Sequence, residues 1–447
     1  MRTIYLDHNA TTRPAEEVID AVAEAMRADW GNPSSVHRFG QQVRARVELA
    51  RESVARLINA QPAEIVFTSS GTESCNLAVF GVVRRLAGAK DPSSIATRSA
   101  TPCHPSRDLI ITTPVEHSAV REAMERLEKE GFTVVRLPVS REGLIDPADL
   151  AAAMRLHAGR VALVSIIWAN NETGVIQPLA DLVRIAKEID AKAIFHTDAV
   201  QWVGKMPTDV RALGVDLLSF AGHKFHGPKG IGGLYVRRGV RLQAQIVGGP
   251  HERERRGGTE DVPGIIGLGV AAELALAKFG VDWSPQRALR ARREAEERSD
   301  RTESLNPSAI SAISAVHLHA AARATAARRD RLEKMILERV PGSVVNGSTD
   351  PARRLWNTTN IAFDRLEAEA ILLGLSERGV CASAGAACSS GSLDPSPVLL
   401  AMDIEERLAH GSIRLSLAED TTDEEVDAAV EVIAQVVKRL QRVLPVG

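Results

Sequence analysis

Short runs of Val, Ile, Leu and Phe recur along the first half of this 447-residue chain, and stretches with helical spacing separate them. EIVFTS at 64–69, DLIITTP at 108–114, TVVRLPV at 133–139, VALVSIIWA at 161–169, AIFHTD at 193–198 and VDLLSFA at 215–221 have strand length. Most are apolar at nearly every position rather than at every second one, as strands covered on both faces should be. Residues 73–86, 117–130, 147–157 and 179–190 repeat their apolar positions at three- and four-residue intervals and predict helices. Such alternation predicts an α/β fold, a mainly parallel sheet with helices on both faces. Ligands of that architecture sit outside the carboxyl ends of the strands. Thr72, His117, Asn171, Asp198 and Lys224 all follow a strand at that end, so the pattern gathers them on one rim.

Past residue 264 the pattern changes. A long helix is predicted over 264–280, then helical and shorter strand-like segments that predict a second, smaller α+β domain. The last helix opens on a capping box, Thr422-Asp423-Glu424-Glu425, and continues with Val426, Val430, Ile433 and Val437 on one face. Residues 88–107, rich in Ser, Thr and Pro, and 284–315, rich in Arg and Ser and then in Ala, read as inserted loops or extra helices.

Composition narrows the class. Charged residues make up 25% of the chain but balance to a net charge of −2, which argues against nucleic acid or an anionic membrane as a main partner. The opening MRTIYLDHNATT lacks the apolar run of a signal peptide. The most apolar stretch, 262–280, is interrupted by Pro263, Glu273 and Lys278 and reads as a buried helix rather than a membrane span. Cys75, Cys103, Cys381 and Cys388 form no C-x-x-C pair, no disulfide framework and no metal-ligand spacing. The expectation is a soluble cytoplasmic protein.

Two segments carry the chemistry. FHTDAVQ at 195–201 ends a strand on Asp198, and SFAGHKFHGPKGIGGLY at 219–235 follows a strand with Lys224 and a glycine-rich turn. Separately, a strand-end Asp is commonly a cap and a lysine commonly lies on the surface. Together at adjacent strand ends they match the needs of pyridoxal 5′-phosphate (PLP). A lysine amine can bind the aldehyde as a Schiff base, and a carboxylate can keep the pyridine nitrogen protonated.

FTSSGTES at 67–74 passes from strand through a small-residue turn into a helix. The backbone amides of Gly71 and Thr72, the Thr72 hydroxyl and the helix dipole suit a phosphate, or else form an ordinary capped helix start. His117 in EHSAV is a helix cap or an imidazole stacked on a ring. Asn171 in NNETG is a turn former or a donor to a cofactor hydroxyl or substrate carboxylate, and Gln201 lies three positions after Asp198, within reach of the same hydroxyl. In GGPHERERRGGTED, Thr259 or Arg256 offers itself to an anion, against the alternative of a solvated charged loop. Arg414 lies inside the strand pattern SIRLSL, and an inward guanidinium needs an anion. ASAGAACSSGS at 382–392 is too small-sided to build a core and reads as a mobile loop exposing Cys388, a nucleophile candidate. Cys75 reads as a small buried side chain.

In order and completeness these motifs resemble the cysteine desulfurases of the NifS/IscS type, within the class V aminotransferase group. The likeness runs nearly end to end: YLDHNATT, GNPSSVHRFG, FTSSGTES, EHSAV, NNETG, HTDAVQ, the lysine segment, GGTED, the cysteine loop in its long form ending ACSSGSLDPS, and SIRLSL. It implies a PLP-dependent transferase fold of the aspartate aminotransferase type. The large domain, 14–264, would hold a mainly parallel seven-stranded sheet. Residues 1–13 and 265–447 would form the small domain, with the cysteine loop at about 382–395.

The resemblance also implies a homodimer that converts L-cysteine to L-alanine and passes sulfur through a persulfide on Cys388 to an acceptor protein, such as an iron–sulfur scaffold or a thiolation enzyme. Lys224 would be the Schiff-base lysine, Asp198 the pyridinium partner and His117 the stacked ring. Gln201 and Asn171 would face the 3-hydroxyl. Gly71, Thr72 and His223 would bind phosphate together with Thr259 from the other subunit. Arg414 would bind the substrate carboxylate, with Asn171 beside it. Two positions depart from the family pattern. Ala221 replaces a phosphate-binding Ser, a loss of about 1 kcal/mol, and His8 stands where Asn or Tyr is usual. A selenocysteine lyase or plain C–S lyase would need the PLP site without Cys388, and a non-catalytic sulfur-assembly scaffold would need neither.

Overall fold

A computed structural model describes residues 3–86, 107–280, 319–384 and 394–443. Its centre is a seven-stranded sheet. In chain order the strands are β2 Ile65–Thr68, β3 Leu109–Thr112, β4 Thr133–Arg136, β5 Val161–Ser165, β6 Ile194–Asp198, β7 Leu217–Ala221 and β8 Gly232–Val236, after a short β1 at Ile4–Tyr5. Their spatial order is β2-β8-β7-β6-β5-β3-β4, and β8 runs antiparallel to both of its neighbours. The remaining strands share one direction, so the mainly parallel seven-stranded sheet expected from the sequence is present.

Period-two alternation divides each strand between two cores. Ile65, Ile111, Leu218 and Phe195 face a cluster with Val47 and Leu268, while Val66, Ile110, Leu217 and Leu163 face a cluster with Val79 and Val120. The predicted helices are the ones that cover these faces: α3 Gly71–Leu86, α4 Ser118–Lys129, α5 Pro147–Leu156 and α6 Leu179–Ile189. Before them come α1 Glu16–Ala28 and α2 Arg38–Leu57, which the apolar pattern did not single out. The buried side of α2 explains the omission, because Gly40, Ala50, Arg51 and Ser53 interrupt its Val43–Val47–Val54 stripe.

Two further expectations change. GIGGLY, read as a glycine-rich turn, contains β8. A Cβ on Gly233 would stand 2.2 Å from the Phe220 ring, so the strand uses glycine where its neighbour's ring lies across it. TVVRLPV is a strand only over Thr133–Arg136 and is not buried throughout, because β4 is the sheet edge. The apolar helix Val262–Phe279 is long and apolar enough to cross a membrane, yet it packs as a core helix. A Cβ on its Gly269 would lie 2.8 Å from the Cα of Ala50, so the glycine lets this helix press onto α2.

A separate antiparallel sheet has the order β12-β13-β10-β9, with β9 Val344–Val345, β10 Thr358–Ala362, β12 Ser383–Ala384 and β13 Ser412–Ser416. A further strand, β11 Val380–Cys381, pairs in parallel with β1 and brings the chain's start beside these C-terminal strands. Ile4 and Leu6 pack there with Leu332, Ile361, Ile413, Leu415, Val430 and Ile433. The helix Asp423–Val443 begins with the expected capping box: Thr422 Oγ1 accepts from Glu425 N at 3.2 Å, and Glu425 Oε2 accepts from Thr422 N at 3.0 Å. Residues 87–106 and 281–318, which cover almost all of both predicted insertions, lie outside the described residues, as do 385–393 with Cys388.

Candidate active site

The carboxyl ends of β2, β3, β5, β6 and β7 open on one edge of the sheet. Asp198 closes β6 and pairs in register with Ser219 of β7, and Lys224 follows the end of β7 on the turn Gly222–Lys224. Asp198 is 4% exposed and accepts a hydrogen bond from Val200 N at 2.9 Å. No ion pair reaches it among the described residues. Burial pushes its pKa up, against the opposing pull of His117, the Val200 amide, the Cys75 thiol and Lys224. Cys75 is fully buried as expected, but its place is beside this carboxylate. Lys224 Nζ donates to the carbonyl oxygens of Asn9 at 2.6 Å and Ala10 at 2.8 Å.

The other expected residues stand around this pair. His117 caps α4, its Nδ1 accepting from Ala119 N at 3.1 Å, so Nε2 is the nitrogen that carries the proton of the neutral ring. Gln201 is buried, and its Nε2 donates to Asn9 O at 2.9 Å. Asn171 presents a buried Oδ1 without a hydrogen-bond partner among the described residues, and its backbone oxygen accepts from Arg414 Nη1 at 3.0 Å. Gly71 begins α3, and Thr72 is exposed at that N-terminus. His223 Nδ1 lies 3.2 Å from Thr11 Oγ1. Burial, then the charges of Lys224, Lys229 and Lys205, push the His223 pKa down to about 4, so its ring is neutral at physiological pH. Ala221 is buried and supplies no hydroxyl. Thr259 lines a shallow cavity with Ser69, Gly230 and Arg256, and Arg256 is engaged by Glu73 of α3 at 3.0 Å. Cys388 is outside the described residues.

Arg414 is 2% exposed on β13, and Asp7 meets its Nη2 at 2.7 Å. Its Nε has no partner. The inward guanidinium therefore has a protein carboxylate on one edge and a buried donor, without a partner among the described residues, on another.

Residue reasoning left Asp7 and Asn9 without roles, although both lie in the YLDHNATT segment. Asn9 joins the site's parts. Its amide N donates to Ser416 Oγ at 2.9 Å, its Nδ2 to Thr358 Oγ1 at 2.8 Å and to Asn171 O at 3.3 Å. Its Oδ1 accepts from Lys205 Nζ at 2.9 Å. No local signal marks Asp7 and Asn9, because a polar run of this kind is ordinarily a solvated loop. Glu172 was also missed. It is buried, and its Oε2 accepts from Ser396 Oγ at 2.5 Å.

PLP fits these residues. A buried carboxylate with no ion pair and an Asn171 oxygen with no hydrogen bond among the described residues, together with the amide-rich start of α3, supply partners for a ring nitrogen, a ring oxygen and a phosphate.

The aminotransferase class-V family model matches residues 4–307 and 304–429. The chain belongs to that family. A cysteine desulfurase of Trichormus azollae is 43% identical over 445 residues, covering 100% of this chain and 95% of that protein. The cysteine desulfurase NifS of Azotobacter vinelandii is 42% identical, again over 100% of this chain and 95% of its own. Among solved structures, a NifS-like protein superposes with a TM-score of 0.79 at 32% identity, covering 98% of this chain and 100% of its own. These findings bear out the expected fold and the likeness to NifS/IscS desulfurases.

Proposed function

We propose that this class V aminotransferase is a cysteine desulfurase that uses PLP to convert L-cysteine to L-alanine and passes the sulfur onward through Cys388. Full-length similarity to curated cysteine desulfurases supports the activity. The observation that carries the chemistry is Asp198, a buried carboxylate with no ion-pair partner among the described residues, at the strand end beside Lys224. Bound on this rim, PLP would supply an aldehyde for the substrate amine and a ring that withdraws charge from its Cα.

Each residue then has a task it can do where it stands. Asp198 holds a proton on the ring nitrogen. Lys224, released from the Asn9 and Ala10 carbonyls, moves the proton at the substrate Cα. His117, with its proton on Nε2, covers one face of the ring. Gln201 and Asn171 contact the ring oxygen. Gly71, Thr72 and neutral His223 hold the phosphate, joined by Thr259 of a second copy of the chain. Arg414 binds the substrate carboxylate, with Asn171 alongside. The Cys388 thiolate attacks the substrate sulfur: an S–S bond forms as the Cβ–S bond breaks, and the electron pair stays with the carbon skeleton, which takes up protons and leaves as alanine. The protein works as a cytoplasmic homodimer and hands its persulfide sulfur to an acceptor protein, without direct contact with nucleic acid or membrane.

Mass spectrometry after treatment with cysteine tests the reading. The Cys388 peptide of the native protein is expected to gain a sulfur. Cys388→Ser is expected to keep bound PLP but to gain none, because a serine hydroxyl is a poor attacker of sulfur. Alanine and sulfide released by that variant at the native rate would refute the assignment and favour a plain C–S lyase.

A further inference from the structure

Lys205 is a buried lysine that the chemistry above leaves without a task. It lies in the loop after β6, 6% exposed, and its backbone oxygen accepts from Trp356 Nε1 at 3.1 Å. Its Nζ donates to Gln201 Oε1 at 2.6 Å and to Asn9 Oδ1 at 2.9 Å. Both acceptors are neutral amides. Burial drives its pKa well below the ordinary lysine value, and the charges of Lys224 and Arg414, both cations, add to that. A buried amine held among cations and without a carboxylate partner among the described residues is costly, so its presence asks for a reason.

The reason lies in what it does to Gln201. A carboxamide is an acceptor at one end and a donor at the other. Asn9 O can only accept, so the Gln201 end facing it must be Nε2. Lys205 donates, so the other end must be Oε1. Turning the amide over would set oxygen against the Asn9 carbonyl and take away the oxygen that accepts from Lys205 Nζ. With the amide held this way, the second N–H on Nε2 is the group left to meet a ligand. The Asn9 carbonyl that fixes Nε2 also receives Lys224 Nζ, which ties this orientation to the rim lysine.

We propose that Lys205 is a positioning residue that locks Gln201 as a hydrogen-bond donor toward the 3-oxygen of bound PLP. The proposal rests on the PLP reading above. A donor on that oxygen draws off negative charge that would otherwise hold a proton on the chromophore, so it lowers the pH at which the chromophore deprotonates.

The test is a pH titration of the visible absorbance of the PLP-loaded protein, made on the native chain, Lys205→Met, Gln201→Ala and the double variant. Lys205→Met is expected to move the midpoint upward by about 0.5 to 1 pH unit, the size of one lost hydrogen bond. Gln201→Ala should move it the same way, and the double variant should match Gln201→Ala alone. That last equality separates positioning from a direct charge effect of Lys205, whose shift would add to that of Gln201→Ala. Lys205→Gln keeps a polar side chain in the slot but falls short of Gln201, and serves in the same titration should Lys205→Met not fold. An unmoved midpoint in the Lys205 variant, or additive shifts in the double variant, would overturn the proposal. A native protein that acquires no visible band with PLP would overturn the cofactor reading, and the proposal with it.

Discussion

The guanidinium of Arg414 and the carboxylate of Asp7 meet at 2.7 Å, tying a strand of the C-terminal sheet to the segment just after β1. Arg414 is 2% exposed and Asp7 16%. The pair orients the guanidinium rather than exhausting it, since Nη1 reaches Asn171 O and the buried Nε has no partner among the described residues. Such an arginine is held ready for a bidentate anion while its charge is compensated in the meantime.

Arg414→Ala is therefore expected to raise KM for cysteine by roughly 10- to 100-fold while PLP content stays close to native. Asp7→Asn should raise KM in the same direction by a smaller factor, because the arginine remains but loses its orienting partner. Steady-state kinetics with a parallel cofactor assay decides the matter. Loss of PLP from Arg414→Ala with KM unchanged would make this arginine a structural one.

Asp198→Asn keeps the acceptor for Val200 N and removes a carboxylate whose charged form burial disfavours. The apoprotein should fold with an undiminished melting temperature. Turnover should fall on the order of 100-fold or more, because a neutral amide cannot keep the ring nitrogen protonated. A near-native rate in a PLP-loaded variant would remove Asp198 from its role.

Glu116 carries a stability prediction. Its Oε1 accepts from Ile167 N at 2.8 Å and Thr113 Oγ1 at 3.0 Å, while the buried Oε2 has no partner among the described residues. Burial, and secondarily the charge of Asp198, raises its pKa from 4.5 to about 8. A carboxyl raised on folding contributes stability that is complete below its unfolded pKa and is lost as pH climbs through the folded value. The native protein should thus lose stability between about pH 5 and about pH 8 from this group. Glu116→Gln keeps both bonds to Oε1 and does not titrate. Its melting temperature should fall less over that interval, by ~1 °C or more. Calorimetry showing parallel pH curves for the two proteins would count against the assignment.

Much of this was legible along the chain. Continuous apolar runs separated by helical spacing dictate a covered parallel sheet, because only helices on both faces can bury such strands. That architecture alone puts Asp198 and Lys224 on one rim, since each follows a strand of the same direction. The tertiary structure decided what lies between them. Asp7 and Asn9 are hundreds of residues from Arg414 and Ser416, and nothing local in YLDHNATT says that its polar atoms will be buried. Asn9 is buried and Asp7 mostly so because β1 pairs with β11 and brings the segment beside β13, where Asn9 N meets Ser416 Oγ and Asp7 meets Arg414. Lys205 shows the same limit from the other side. Nothing local in QWVGK marks this lysine as buried. The stacking of Trp168 on Trp202, with ring centres 4.1 Å apart, is part of the packing that folds its loop inward onto Gln201 and Asn9. Periodicity fixes which residues share a face, whereas the pairing of polar groups distant in sequence depends on packing that no local pattern encodes.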